Sequence, residues 1–294
     1  MAIRESVGER VFNLFNVVAM SIIMVITIYP LLYVLFASLS QPTEFIAHSG
    51  LLLAPLGPMT LASYKAVFAN PNILSGYVNT IIIVIGGLII NLILTAIGAY
   101  FLSRKNVMWR NPVMFMVVFT MFFSGGLIPF FFTVKGLHID NSLWALILPG
   151  AINTFNLIIM RTAFAAIPDS IEESARIDGA GHFTILFRII IPLAAPTMAV
   201  MVLYYGVAHW NAWFNAMIFL QRRELFPLQL ILREILIQND TSLMVSGAST
   251  GDDFMIGETV KYAVIVVATL PILALYPFLQ RFFVKGVMIG SVKE

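Results

Sequence analysis

The chain has no cysteine among its 294 residues, so disulfides, thiolate nucleophiles and cysteine metal sites are excluded. Charge is scarce too: Asp, Glu, Lys and Arg make up 11% of the residues, against roughly 25% in a soluble domain. A net charge of +2 lies too close to balance for a nucleic-acid partner. No G-x4-G-K-[ST] loop occurs, which removes ATP hydrolysis by that route from the chain itself. Neither an internal repeat nor a low-complexity tract is present. What fills the chain is apolar: 60% of its residues are hydrophobic and the mean hydropathy is +0.92. It therefore reads as an all-α polytopic membrane protein.

A hydrocarbon core of about 30 Å needs about 20 apolar residues per helix. Six runs meet that length, at 11–39, 77–102, 112–134, 142–164, 193–220 and 260–283. None carries an acidic residue in its interior, as expected when a central Asp costs about 2.5–3.5 kcal/mol on insertion. The same absence argues against the buried carboxylate relay of a proton-coupled pump. The amino terminus mixes charges ahead of its apolar run and lacks an A-x-A-like site, so it reads as a retained first helix. Lys and Arg concentrate in the amino terminus, at 104–110, at 161–188 and after 281. The opposite side holds a smaller set, Lys65, Lys135, Arg222, Arg223, Arg233 and Lys261. Both termini are therefore expected in the cytoplasm, with the chain multi-pass in a cell membrane. Two segments fall on the outer side. In 40–76, Pro42, Pro55, Pro58 and Pro71 break any long helix. In 221–259, a short amphipathic helix at 227–236 precedes a polar stretch, 239–253, expected to be mobile.

The most informative segment is a charged interruption between apolar blocks, PDSIEESARIDGAGHFTILFRIIIP from Pro168 to Pro192. It must lie in water on one side of the membrane. Asp169 with Glu172, or Ser170 with Glu173, makes a capping-box pattern that predicts a helix start. Gly179 and Gly181 allow a sharp reversal, and a second short helix over 182–190 is expected to end at Pro192. Ala175 and Gly179 have little bulk, which lets a partner approach the backbone, while Glu173 and Asp178 offer charge to it. The plain alternative is a solvated loop whose acids merely cap a helix.

The spacing Glu173-Ser174-Ala175, then Gly179, then Ile189-x-Ile191-Pro192 resembles the E-A-A-x-x-x-G-x9-I-x-L-P signature of membrane subunits of bacterial ABC importers. Ser174 replaces Ala and Ile191 replaces Leu, both small changes in volume. Phe123–Pro129 (FSGGLIP), Trp144–Gly150 (WALILPG), Ile177–Ala180 (IDGA) and Tyr276–Gly286 (YPFLQRFFVKG) are similar to the carbohydrate-uptake branch. Within it the chain resembles maltose-type second permease subunits, and more closely those serving complex or acidic oligosaccharides. The resemblance implies the MetI-like fold of type I importers, with a cytoplasmic coupling helix. It divides the chain into an amino-terminal helix with its outer loop (1–76) and a core permease domain (77–294). That core holds five spans, the coupling loop 168–192 and a cytoplasmic tail, 287–294, which in the maltose system reaches the ATPase interface.

From the same likeness, Glu172, Glu173, Ser174, Ala175, Arg176, Asp178, Gly179, Ile189 and Pro192 are the ATPase-coupling residues. The expected partners are a second permease subunit, two copies of a cytoplasmic ATPase and an extracytoplasmic sugar-binding protein that docks near 221–259. No catalytic residue, metal or cofactor is expected in this chain; ATP and magnesium belong to the partner ATPase.

Sugars are held by amide hydrogen bonds and by aromatic faces. Tyr205, Trp210, Asn211, Trp213 and Asn215 in the fifth run, with Asn153 and Asn156 in the fourth, are the substrate-pathway candidates. Asn211 and Asn215 are four apart and so share a face if the helix is continuous. An interfacial aromatic belt and interhelical Asn hydrogen bonds explain the same residues without a substrate. Gly125, Gly126 and Pro129, with Pro271 and Pro277, invite kinks. Other readings stay open: an importer of a peptide, amino acid or phosphate, a self-sufficient channel or secondary transporter, or a membrane enzyme acting on lipid-linked sugars. No arrangement of acids resembles a catalytic pair.

Overall fold

The structure, a computed structural model, describes residues 6–237, 257–274 and 277, and all regular structure among them is helical. In chain order the helices are α1 (Val7–Leu39), α2 (Pro42–Ala47), α3 (Ala62–Ala69), α4 (Pro71–Ser103), α5 (Arg110–Phe122), α6 (Leu127–Gly136), α7 (Trp144–Ile147) and α8 (Thr154–Ala165). There follow α9 (Asp169–Ile177), α10 (His182–Ile185), α11 (Ile191–Leu193), α12 (Ala195–Trp210), α13 (Phe214–Phe219), α14 (Leu228–Ile237) and α15 (Gly257–Ala274). Packing groups the described residues into two units, one of 6–70, 234–237 and 257–269, the other of 71–233, 270–274 and 277.

In the first unit, Ser6 starts α1 with a capping box: its hydroxyl accepts from the Glu9 N–H at 3.2 Å while Glu9 accepts from the Ser6 N–H at 2.6 Å. At 33 residues α1 is about 50 Å long, more than the hydrocarbon core requires. Within it only Ala37 and Ser38 are buried, so almost all of its apolar surface faces outward. A helix of that kind is stable only in lipid or against other chains. Beyond it the prolines act as read from the sequence. Pro42 opens α2 at a position where the missing N–H costs nothing, and no long helix forms before Pro71. Tyr33, Phe45 and Tyr262 meet edge to face, and Ser63 pairs with Thr259 at 2.8 Å.

The second unit is built on α4, with α8 and α12 packed against it through Ala96, Ala99, Leu157, Met160, Phe164, Met201 and Tyr205. Three runs that hydropathy shows as single spans are bent pairs of helices, giving up to six spans if each pair counts as one. The third bends by 118° between α5 and α6, where Gly126 takes a left-handed φ of 83°. The fourth bends by 49° at Gly150–Asn153, just after Pro149. The fifth begins at Ala195 rather than Leu193, because the preceding helix passes through Pro192 and turns by 87° at Ala194. A single π turn, Leu186–Ile190, sits just before Pro192, whose ring nitrogen has no hydrogen to bond back along the helix. The fifth run also stops at Trp210 and resumes at Phe214.

Breaks in an apolar setting leave backbone groups that must find partners inside the protein. α4 supplies them from a row of buried polar side chains. Asn91 donates to the carbonyls of Gly150 at 2.7 Å and Ala151 at 2.9 Å, and its own oxygen meets His209 Nε2 at 2.7 Å. Thr95 pairs with the Tyr205 hydroxyl at 2.8 Å, which accepts from the Asn153 N–H at 3.0 Å. Asn79 donates to the carbonyls of Glu224 and Phe226, and Thr80 accepts from the Leu228 N–H at 2.9 Å. Gly87 keeps this arrangement tight, since a Cβ there would overlap the His209 ring.

Candidate functional site

α9 forms where the sequence places it, but without the expected capping box. Pro168 is its N-cap and no side chain caps it. The acids of its first turn do other work. Glu172, 6% exposed, points into the protein. Its carboxylate faces Arg104 Nη1 at 3.0 Å, receives the Tyr100 hydroxyl at 3.0 Å, and receives Arg176 Nη2, one helical turn on, at 2.6 Å. That last hydrogen bond holds the Arg176 guanidinium above its already high range, so it remains cationic at any working pH.

Arg104 is the centre of the cluster. It lies just past the end of α4, is 8% exposed, and spreads its guanidinium over the Tyr100 ring at 5.1 Å. Its Nη2 donates to the Phe164 carbonyl at 3.0 Å, in the last turn of α8. In return Arg161 of α8 donates to the Leu102 carbonyl at 3.0 Å, in the last turn of α4. Two helix C-termini thus cap each other with cations, which also suits their dipoles. Through Glu172 the same Arg104 holds α9, so three helices meet on one guanidinium. At the rim Lys105 pairs with Asp169 at 3.3 Å in solvent, where such a pair is worth at most about 1 kcal/mol.

The end of α9 explains its glycine. Gly179 N–H donates to the Arg176 carbonyl at 3.0 Å and Ala180 N–H to the Ala175 carbonyl at 2.9 Å, the paired bonds of a Schellman motif. Ala175 and Ala180 complete it by packing together into the core. The motif needs a left-handed residue, and Gly179 has φ 84° with open space where a Cβ would sit. Gly179→Ala is therefore expected to cost about 1–2 kcal/mol from backbone alone, and Gly179→Asn less. Thermal unfolding of the two variants checks the order, which steric crowding would not produce.

The opposite face of α9 is unpartnered among the described residues. Glu173, Ser174 and Asp178 are exposed, and Ile177 is 87% exposed at the tip. A cavity of about 640 Å³ opens beside it, lined by Phe101, Arg104, Asn106, Glu173, His182 and Phe183. Of the remaining coupling residues, Ile189 packs half-buried on the core and Pro192 is exposed in α11. The face combines carboxylates, bare apolar tips and a recess, and its underside is fixed by a buried ion pair.

The substrate-pathway candidates are dispersed. Asn153 caps α8 by accepting from the Asn156 N–H at 3.1 Å, and Asn156 is buried. Tyr205 is buried between Thr95 and Asn153, and Trp210 is buried edge-on to Tyr77. Asn211 turns its amide back to the Val207 carbonyl at 3.0 Å. Because the helix breaks between α12 and α13, Asn211 and Asn215 do not share a helical face, which corrects that premise. Trp213 is exposed, with the Arg233 guanidinium 4.7 Å from its ring centre and Phe214 set edge-on. Sequence reasoning missed Asn91, Arg104 and Asn141 as structural residues. Asn141, at a left-handed φ of 53°, accepts from the Gln221 and Arg222 N–H groups and binds the Phe219 carbonyl. Asn tolerates that conformation better than most residues, which was the one available signal. The segment 239–253 and the tail 287–294 lie outside the described residues.

Comparison with known proteins agrees with this geometry. Residues 103–289 match the family described as binding-protein-dependent transport system inner membrane component. The polygalacturonan/rhamnogalacturonan transport system permease protein YtcP of Bacillus subtilis is 39% identical over 290 residues, covering 97% of this chain and 99% of its own. Protein LplC of the same organism is 40% identical, covering 97% and 95%. Among solved structures, a chain of a bacterial ABC transporter involved in the import of the acidic polysaccharide alginate superposes with a TM-score of 0.87. That chain is 30% identical, with 96% of this chain and all of the other covered. The chain belongs to the inner membrane components of binding-protein-dependent transport systems, and is a permease subunit of the ABC importer type.

Proposed function

We propose that the chain forms, with a second permease subunit, the path by which an acidic oligosaccharide enters the cell. Two copies of a cytoplasmic ATPase supply ATP and magnesium chemistry, and an extracytoplasmic binding protein delivers the sugar to outer segments near 221–259. Both termini and the 168–192 element lie in the cytoplasm. The core permease domain, 77–294, carries the path and the coupling loop. The observation that carries this reading is α9 itself: an acidic, apolar-tipped face with no partner among the described residues, backed by Arg104 and Glu172. The substrate class is supported by the pectic and alginate systems to which the chain is similar.

The ATPase meets Glu173, Asp178 and Ile177, and its closure on ATP displaces α9. Asn211, Trp213 and Asn215, exposed or half-exposed at the break between α12 and α13, are the nearest candidates for sugar contact. The test is ATP-driven uptake of labelled oligogalacturonates by proteoliposomes holding the whole assembly. Uptake that depends on ATP and on the binding protein supports the reading. Uptake of neutral maltodextrins in preference to uronates overturns the acidic assignment. Failure of any ATPase to copurify with the chain overturns the importer. Glu173→Gln is expected to weaken ATPase retention about tenfold, as loss of one charge-assisted contact of about 1.5 kcal/mol implies.

A further inference from the structure

We infer that the two adjacent glutamates of the coupling element divide its work, Glu173 binding the ATPase and Glu172, through Arg104, passing the stroke to α4 and α8. The inference rests on the docking role proposed above and assigns positioning roles to Glu172 and Arg104.

The two side chains differ in burial and in partners. Glu173 is exposed, whereas Glu172 is 6% exposed and its carboxylate is engaged by Arg104, Tyr100 and Arg176. The chain itself attaches α9 weakly. Residues 166–168 link it to α8, and the other end leaves through Gly179 and Gly181, neither of which has any atom near its absent Cβ. The only other buried side chain on α9 is Ala175, which offers one methyl group. Beside the pairs of exposed Asp169 with Lys105 and Arg104, a load applied to the outer face is therefore carried inward mainly by Glu172.

Arg104 receives it in a buried setting, where an ion pair is stiff and poorly screened by salt. Through Nη2 it is also tied to the Phe164 carbonyl of α8, and its own backbone continues from α4. α4 in turn holds the broken backbone at 150–153 and the α12 residues Tyr205 and His209 through Asn91 and Thr95. Displacement of α9 thus reaches the breaks in the spans through the ion pair, along α4 itself, and out through the polar contacts of Thr95 and Asn91. Glu173 makes none of these contacts, whereas the Glu172 carboxylate is committed to Arg104, Tyr100 and Arg176.

The experiment compares Glu172→Gln, Arg104→Gln and Glu173→Gln in complete assemblies in proteoliposomes. It measures retained ATPase, ATP hydrolysed and solute taken up. Glu172→Gln and Arg104→Gln are expected to keep the ATPase and its hydrolysis, while uptake per ATP falls about tenfold. Glu173→Gln is expected to lose ATPase while uptake per ATP in the remaining complexes is unchanged. A covalent staple then separates transmission from folding. The chain has no cysteine, so Lys105→Cys with Asp169→Cys can be bridged by a short bismaleimide in the Glu172→Gln background. Recovery of uptake per ATP on stapling supports the inference. No recovery, unchanged uptake per ATP in Glu172→Gln, or ATPase loss from Glu172→Gln equal to that from Glu173→Gln each overturns it. If all three variants keep ATPase, hydrolysis and uptake, the docking role itself fails.

Discussion

Arg104→Met is expected to lower the stability of the protein by about 3 kcal/mol, at the lower end of the range for breaking one side of a buried ion pair. The loss arises because Glu172 stays behind in a buried position with its main counter-charge gone. Tyr100 and the half-exposed Arg176 still bind it, which limits the damage. The Phe164 carbonyl at the end of α8 loses its donor as well. Thermal unfolding of the detergent-solubilised complex should show a fall on the order of 10 °C. Lys105→Met, one residue along but 78% exposed, should change it by less than about 0.5 kcal/mol. Removing both charges, as Arg104→Met with Glu172→Leu, should recover part of the stability, because a matched apolar pair no longer leaves a buried charge alone. Equal effects of the Arg104 and Lys105 substitutions would show that the pair does not hold the helices together.

The second large effect is expected at Asn91, far from the coupling element. Asn91→Leu keeps the volume but removes two donors to the carbonyls of Gly150 and Ala151 and the contact to His209. At about 0.6 kcal/mol for each interhelical hydrogen bond in a membrane, the three sum to about 2 kcal/mol. Two carbonyls left bare at a helix break add to that cost. Asn211→Leu is the matched control, since Asn211 is exposed and its amide bonds only to its own helix. A melting temperature lowered by Asn91→Leu and unmoved by Asn211→Leu supports a structural role for the buried amide. The reverse order would place the important amide on the exposed break.

The sequence made some of this legible and hid the rest for physical reasons. The helix expected at 227–236 is observed at Leu228–Ile237, because apolar spacing after Pro227 leaves few alternatives. The turn after α9 follows from Gly179, a residue suited to a left-handed position. The breaks in the fourth and fifth runs were not read, since hydropathy is blind to bends and a run such as 193–220 is equally apolar on both sides of Asn211. Gly125-Gly126 invited the kink in the third run without giving its angle of 118°, and the 49° bend after Pro149 was not read at all. The capping box over Asp169–Glu173 failed for a different cause. Glu172 found Arg104, a cation far away in sequence and buried between helix ends, and that bond outweighs a local one. Composition and periodicity contain nothing that pairs those two residues. The same holds for Asn91 and the carbonyls at 150–151, which meet only once α4 and the fourth run have packed.

The central claim is that Glu173 faces an ATPase while Glu172 faces the interior of its own chain. Single cysteines at these two positions, in a chain that has no other, can each carry a benzophenone photo-cross-linker in the assembled complex. The account predicts an adduct between Glu173→Cys and the ATPase, with Glu172→Cys poorly labelled and giving little or none. An ATPase adduct from position 172 as strong as that from 173, or none from 173 in a complex that retains its ATPase, would contradict it.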